Sequence, residues 1–587
     1  MTTSRRTRRR LSLAMLVTLA IVGVFVVRLV DIQVVRASEL NIDSLEKRAV
    51  PTVTYAARGD VVDKNGVVLA GSIMRYDVTV SPKVIAGLRS PAFARGSGDD
   101  EVQVSFAQAA SEVARVTGQT QNQVLLTFTG DPTSDFEYVA KKVTLEQMRK
   151  IRDLRIPGIY SESHPARIYP GGAVAGNLVG FVGTDGPQNG LEWSEDECLT
   201  STNGSSTYER GADGIRLPGS TVTSQEPIPG GTVTTTIDYD LNYAIQQMIA
   251  EQAISIGAQS AMAGVIEIKT GKLLAMADYP SVDPNNVDAT PADYLGALTF
   301  SAAYEPGSIF KPMTAAMLLD QGVADAGSRV NVPARWTSPE GSVVRDAAAH
   351  ADQRLTLAGV IEQSSNVGIS QLAVRLSNKT RYGYMTAFGL GQSTEVGFQG
   401  ESDGLLAGSW DDQQKYDVAY GQGVTASLAQ LLSIYQTLGN NGMRLPVTLV
   451  TGCTKADGTV TEVPTAPSRA VVSEAAADKV VQMMEGVVTG GGLAAQLQIP
   501  GYRVGAKSGT AQVAANGRYT SDRVVSIAGL APAEDPQYAV VVMFVKPSTM
   551  KTSAAAAPTF KKIMTKVLAT YRVTPSTTPS PLLPTTW

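Results

Sequence analysis

Histidine is almost missing from this chain. His164 and His350 are the only two among 587 residues. That removes H-E-x-x-H and other histidine-built metal centres, and it leaves little from which to assemble a Ser-His-Asp triad. Any serine acyl chemistry here needs a different base. Cysteine is as scarce: Cys198 and Cys453 are too few for a disulfide framework or a zinc cluster, and the sequence leaves open whether they form one bridge or remain two thiols. An excess of one charge is lacking too. The net charge of −4 is close to neutral for this length, and no basic stripe occurs outside the N-terminus, so nothing points to nucleic acid. Neither a metal nor a cofactor is expected. What the chain does have is 43% hydrophobic residues and a length that predicts several domains.

The first feature present is an anchor with a direction. Arg5, Arg6, Arg8, Arg9 and Arg10 precede an uncharged run from Leu11 to Val27, and Leu29 and Val30 extend it beyond Arg28. As a helix the run spans roughly 26 Å, slightly short of a ~30 Å hydrocarbon layer, and the extension holds if Arg28 snorkels. No A-x-A-like cleavage site follows closely, so an uncleaved membrane anchor over 11–30 is expected rather than a signal peptide. The arginines of the arm 1–10 stay cytoplasmic by the positive-inside rule, which makes the rest of the chain extracytoplasmic.

Residues 36–235 read as a mixed module. Gln103–Thr117 and Leu145–Leu154 have helical apolar spacing. Ala57–Ala70 reads as strand, turn, strand around Asn65-Gly66. Arg89–Asp100 and Arg210–Thr232 are rich in turn residues, and the former is expected to loop out. Arg58-Gly59 with Asp63 and Asn65-Gly66, followed by Arg167, Tyr169-Pro170, Gly180 and Gly190-Leu191-Glu192, resembles the ordered signatures of the N-terminal module of class B penicillin-binding proteins. The resemblance implies a non-catalytic pedestal, the dimerisation domain of that family, which holds a catalytic domain off the membrane and contacts partners. The residues agree: Arg58, Arg167 and Glu192 read as buried ion-pair partners. The acidic, polar stretch after Glu192 departs from the family pattern. A glycosyltransferase domain, as in class A relatives, has no place here.

Residues 240–572 show two early strands (Ala261–Ile268 and Lys272–Ala277), a helical block, three late strands (Gly505–Val513, Val524–Leu530 and Tyr538–Val545) and a closing helix, Thr559–Tyr571. This order predicts an α/β sandwich on a five-stranded antiparallel sheet whose first and last thirds meet. Within it lie S-x-x-K at Ser308–Lys311, S-x-N at Ser364–Asn366 and K-S-G-T at Lys507–Thr510. Each alone is weak. Ser44–Lys47, Ser548–Lys551, Ser201–Asn203 and Lys269–Gly271 match one motif each. Order and flanks carry the signal: Glu305-Pro306-Gly307 leads into Ser308, and Gly421-Gln422-Gly423 lies between the second and third motifs. The trio resembles that of penicillin-binding proteins and serine β-lactamases.

The residue types suit the chemistry. Ser308 follows a chain-breaking Pro-Gly and opens a helix, where unpaired amides favour an oxyanion. Lys311 is one turn on and on the same face. A lysine base needs its pKa lowered, by burial or by a nearby cation such as Lys507. The resemblance implies the remaining roles. Ser364 would relay a proton, and Asn366 would hold the substrate amide. Lys507, Ser508 and Thr510 would bind its carboxylate. Gly509 would let it approach the backbone, and the Thr510 amide would complete the oxyanion site.

No deacylating E-x-x-N follows the second motif: Glu395 and Glu401 read E-V-G-F and E-S-D-G. The acyl-enzyme is therefore expected to await an amine. The resemblance implies a penicillin-binding D,D-transpeptidase of peptidoglycan stem peptides, of the septal division type. It also implies that a membrane glycan polymerase and other divisome proteins act beside it. An elongation-type transpeptidase, and behind it a D,D-carboxypeptidase or β-lactamase-like hydrolase, are the alternatives. The Pro/Thr/Ser-rich stretch 573–587 is expected to be a disordered tail.

Overall fold

The structure, a computed structural model, describes residues 5–88, 92–96, 98–209, 217, 219–462, 466–515 and 518–587. The apolar run is a helix, α1 (Arg5–Val30), continued by a π-helical turn Asp31–Val35, and it buries none of its side chains. Arg28, which interrupts the run, pairs with Asp31 at 2.7 Å, and Arg36 holds the same carboxylate at 2.8 Å.

The pedestal is built on β1 (Val61–Val62), β2 (Val68–Val80), β3 (Glu137–Val143), β4 (Ile159–Ile168) and β5 (Thr232–Thr235). The turn between β1 and β2 is the expected one. Asp63 Oδ1 accepts from the amides of Asn65 and Val67, and Gly66 takes a φ of 86° that favours glycine. Around the far half of β2 the helices Phe106–Thr117, Gln121–Phe128 and Leu145–Asp153 enclose a separate core that includes Val80, Val113, Phe128 and Ile151. Part of the segment 89–100, expected to loop out, instead forms a hairpin, Ala92–Arg95 with Val102–Ser105. It buries Phe93 against Phe106, with ring centroids 5.4 Å apart; residues 89–91 and 97 lie outside the described residues. Most of the Gly/Pro-rich stretch 210–218 lies outside them as well.

The catalytic half runs through α2 (Tyr239–Ile256), β6 (Ser260–Glu267), β7 (Leu273–Tyr279), α3 (Lys311–Asp320), β8 (Arg329–Val332), β9 (Gln353–Thr356), α4 (Leu357–Gln363), α5 (Asn366–Ala373) and α6 (Leu428–Gly439). It continues through β10 (Val450–Thr454), β11 (Val460–Glu462), α7 (Glu474–Thr489), β12 (Gly505–Ala515), β13 (Arg518–Ala531), β14 (Tyr538–Val545) and α8 (Ala557–Thr570). The five strands β7-β6-β14-β13-β12 form one antiparallel sheet, so the first and last thirds meet as the sequence predicts.

Register assigns the two faces. Gly264, Val541, Ala528 and Lys507 lie in one cross-strand row, and Gly264 abuts Leu428 and Leu432 of α6. Gly529, one residue on, faces Phe560 of α8 instead. Side chains alternate along a strand, so Lys507 points into the helical block and not towards α8. A one-residue slip of β12 would turn it away.

Two features were not foreseen. The chain leaves the pedestal sheet after β5, but the hairpin β10–β11 returns to it. The joint sheet runs β11-β10-β5-β1-β2-β3, with β4 on β2, and β10 is antiparallel to β5. Beside this junction Cys198 and Cys453 form a disulfide across 255 residues of sequence. The second is the tail. Residues 573–587 pack on the catalytic half rather than standing free. Val573 O accepts from Tyr502 Oη, Ser576 Oγ accepts from the Arg503 amide, and the Thr586 backbone bridges Leu355 of β9. Arg329 and Arg354 stack on Trp587 at 5.1 and 5.3 Å. Composition predicted disorder because Pro, Ser and Thr dominate. What it could not register was an open strand edge and two guanidinium groups ready to receive a terminal indole.

Candidate active site

The Ser308 turn is clamped from three directions. Gly307 has φ 58° and donates its amide to Gly421 O at 2.9 Å. Glu305 Oε1 accepts from the Gly423 amide, and the Tyr435 hydroxyl donates to Ile309 O, both at 2.9 Å. The E-P-G and G-Q-G segments singled out in sequence are thus the two halves of one clamp. The first turn, Gly307–Phe310, is 3₁₀ rather than α, and α3 begins at Lys311 with Pro312 in its first turn, where a missing N–H costs little. Ser308 is half-buried and lines a cleft of about 970 Å³.

Beneath the cleft lie two lysines. Lys311 and Lys507 are both fully buried, and both aim at Ser364. Lys311 Nζ donates to the Ser364 carbonyl and, at 3.3 Å, to its Oγ. Lys507 Nζ donates to the same Oγ at 2.8 Å and to Ser508 O at 3.1 Å. Neither has a carboxylate partner within ion-pair distance among the described residues. Burial, and then the charge of Lys507, hold the Lys311 amine well below its ordinary value, against the opposing pull of Asp346. Burial brings Lys507 down to about 7. Two buried amines with lowered pKa values share the Ser364 hydroxyl beneath the cleft that Ser308 lines, an arrangement suited to passing a proton.

Ser364 reaches this position through its backbone. It caps α4 in the left-handed region, φ 61° and ψ 35°, a conformation that costs a non-glycine residue about 1–2 kcal/mol. Ser365 then caps α5, accepting from the Gly368 amide at 2.9 Å, and Asn366 Nδ2 donates to Arg345 O at 3.0 Å. Across the cleft, Lys507 to Thr510 lie on β12, the edge strand of the sheet, so its outer backbone groups are open to an extended peptide. Ser508 and Thr510 line the cleft with Ser308, Ser364 and Asn366, while the lysines lie under its floor. Gly509 has a packing reason beside the expected one. A Cβ there would meet Ser526 Oγ at 2.4 Å and Ile309 Cγ2 at 3.0 Å, so the missing side chain admits the neighbouring strand's serine and the Ser308 turn.

Of the eight residues predicted for the site, Ser308, Ser364, Asn366, Ser508 and Thr510 line one cleft, Lys311 and Lys507 reach Ser364 from beneath it, and Gly509 packs against the Ser308 turn. The decoys scatter: Lys269 is in the β6–β7 turn and pairs with Asp535 at 3.1 Å, and Asn203 accepts from Ala56 N in the pedestal. Lys551, half of another decoy, lines the cleft without joining the lysine pair. Sequence reasoning missed the wall formed by Arg345, Asp346 and His350; the one available signal was a scarce histidine between the first and second motifs. A second cavity of about 1040 Å³, lined by Trp336, Arg375 and Arg381 behind α5, contains none of the three motifs.

Comparison with known proteins agrees with this geometry. The family model described as the penicillin-binding protein transpeptidase domain matches residues 261–565, and that of the penicillin-binding protein dimerisation domain matches 53–235. Penicillin-binding protein PbpB of Mycolicibacterium smegmatis is 33% identical over 97% of this chain and 91% of its own length. The peptidoglycan D,D-transpeptidase FtsI of Escherichia coli is 30% identical over 88% of this chain and 84% of its own. Among solved structures, a peptidoglycan synthetase from Bifidobacterium adolescentis superposes with a TM-score of 0.71 at 28% identity, covering 92% of this chain and all of the other. Penicillin-binding protein 3 of Mycobacterium tuberculosis in complex with aztreonam gives 0.68 at 27%, covering 91% of this chain and all of the other.

Proposed function

The chain belongs to the penicillin-binding protein transpeptidases, the family of PbpB and FtsI, and from that premise we propose how its own residues perform peptidoglycan D,D-transpeptidation. Ser308 Oγ attacks the penultimate D-alanyl carbonyl of a stem peptide. Its proton passes to neutral Lys311, and the carbonyl oxygen gathers charge against the amides of Ser308 and Thr510. The amide bond to the terminal D-alanine breaks, Ser364 delivers a proton to the departing amine, and an ester to Ser308 remains. An amine of a neighbouring stem peptide then attacks the ester, Lys311 and Ser364 take its proton and return one to Ser308 Oγ, and the new amide bond forms as the ester C–O bond breaks. Lys507, Ser508 and Thr510 hold the substrate carboxylate, and Asn366 holds its backbone amide.

The observation that carries this reading is the convergence of two buried, unpaired lysines on Ser364 beneath a cleft that Ser308 lines. A β-lactam presents a strained amide to the same serine, and the solved relative holding aztreonam supports this. A fluorescent penicillin should label the full chain covalently, and Ser308→Ala should abolish the label; labelling that survives the substitution removes Ser308 as nucleophile.

The division-type assignment is supported by the likeness to FtsI, with a glycan polymerase and divisome proteins as partners of anchor and pedestal. Sidewall rather than septal localisation of a fluorescent fusion would overturn it. The arginine-flanked helix supports a cytoplasmic N-terminus with an extracytoplasmic cleft, and the Cys198–Cys453 disulfide supports the same side, because such bridges persist in oxidising compartments.

A further inference from the structure

The second motif is held by a carboxylate outside all three motifs. Asp346 follows a short strand, Val343–Arg345, and its own amide donates to Ala334 O at 3.1 Å. Its Oδ1 accepts from the Val367 amide at 2.9 Å, and its Oδ2 accepts from Ser365 Oγ at 2.8 Å and faces His350 Nε2 at 3.0 Å. Arg345 O, one residue earlier, takes Asn366 Nδ2. The turn at 345–346 is thus the mould for residues 365–367. His350 closes the loop back onto it and lines the cleft.

The two nitrogens of His350 face only acceptors. Nδ1 lies 2.7 Å from Ala351 O, which cannot donate, and Nε2 lies against a carboxylate. A neutral imidazole has one N–H and can satisfy one of them; only the imidazolium donates to both. The same carboxylate is the one that raises the basicity of Lys311, opposing burial and Lys507.

We propose that Asp346 is the positioning residue of the second motif and that protonated His350 is its latch, holding the cleft-side loop 346–351 in place and offsetting the negative charge that Lys311 senses. This rests on the catalytic reading given above. The other charges around the latch are Asp352, which favours the imidazolium, and Arg345, Arg523 and Lys551 along the cleft wall. The Ala351 carbonyl first, then Asp346, raise the His350 pKa against partial burial. The latch is therefore present at low pH and lost as pH rises through that raised value. When it is lost, the bare Asp346 charge strengthens the proton's hold on Lys311.

Two measurements test this. In an NMR titration of the full chain in detergent, the two histidines are assigned by His164→Gln. The proposal expects His350 to titrate above about 6.5 and to fall towards it in Asp346→Asn; a value at or below 6.5 in the unsubstituted chain overturns it whether or not Ser308 reacts. In the second, labelling rates with fluorescent penicillin are followed across pH for His350→Gln, which keeps a donor and cannot carry the charge. The acid limb should move to higher pH, making labelling roughly threefold slower near pH 6 and little changed near pH 8. Superimposable profiles, or a slowing equal at every pH, overturn the latch while leaving the Ser308 reading intact. Failure of the unsubstituted chain to label counts against that reading, and the titration still decides the latch.

Discussion

Two groups of enclosed cations, one part-buried and one fully buried, are treated in opposite ways. In the pedestal, Arg58 and Arg167 converge on Glu192, which is fully buried. Arg58 Nε lies 2.8 Å and Arg167 Nε 2.5 Å from its carboxylate oxygens, and Asp196 takes a second Arg58 nitrogen at 2.5 Å. In the cleft, Lys311 and Lys507 converge on a hydroxyl and a carbonyl that carry no charge. The side chains explain the contrast. A guanidinium keeps its proton, so its burial has to be met by partners, here the carboxylates of Glu192 and Asp196. An ammonium can shed its proton, so burial lowers its pKa instead and leaves a usable base. Paired cations tie the pedestal's segments together, and the unpaired ones sit where the proposed mechanism needs a base.

The sharpest way to break this contrast is Lys311→Ala. Acylation by fluorescent penicillin should fall ~10²- to 10⁴-fold with the melting curve retained, and near-normal acylation would show that the buried amine is not the base. Glu192→Gln should do the reverse. Two guanidinium groups lose their buried anion, so chemical denaturation should show a loss of about 3–5 kcal/mol, while the folded fraction acylates at the normal rate. A stability change under 1 kcal/mol would demote the triad to ornament. Lys507→Met probes the coupling inside the cleft. Without the neighbouring positive charge Lys311 is easier to protonate, so the acid limb of the acylation profile should move to higher pH; an unmoved limb would mean that burial alone tunes Lys311. The smallest effect is also the most telling. Ser364→Gly relieves the left-handed strain and removes the hydroxyl, so the protein should gain up to ~1 kcal/mol in stability while acylation slows. Loss of both stability and activity would mean that Ser364 is not strained for function.

The sheet and the three motifs were legible because both rest on local pattern. Strand periodicity marked Ala261–Ile268 and Tyr538–Val545 to within a residue or so, and order with flanks separated Ser308, Ser364 and Lys507 from their decoys. What stayed hidden depends on distance in space. Nothing near Cys198 announces Cys453, and β10 reads as part of the catalytic half until it pairs with β5. The tail's composition signals disorder until Trp587 meets Arg329 and Arg354. Asp346 was invisible for a further reason: an aspartate in a loop looks solvated, and only the fold brings the amides of the second motif to it.

The junction between the halves has a mechanical consequence. A polypeptide crossing near residue 235 would by itself act as a swivel. Here the catalytic half is fastened by more than that crossing: the hairpin β10–β11 returns with its Cys198–Cys453 bolt, and Asn177 and Asn189 of the pedestal donate to the carbonyls of Tyr294, Gly296 and Leu295. Fastenings set apart from one another resist rotation, so a load on the pedestal passes to the catalytic half as torque as well as pull. Cutting the bolt leaves the ladder between β5 and β10 and these side-chain bonds to bear that load, with about 2–4 kcal/mol less stability to resist it. The aim of the cleft relative to the pedestal is in this sense set by a strut and not by a leash.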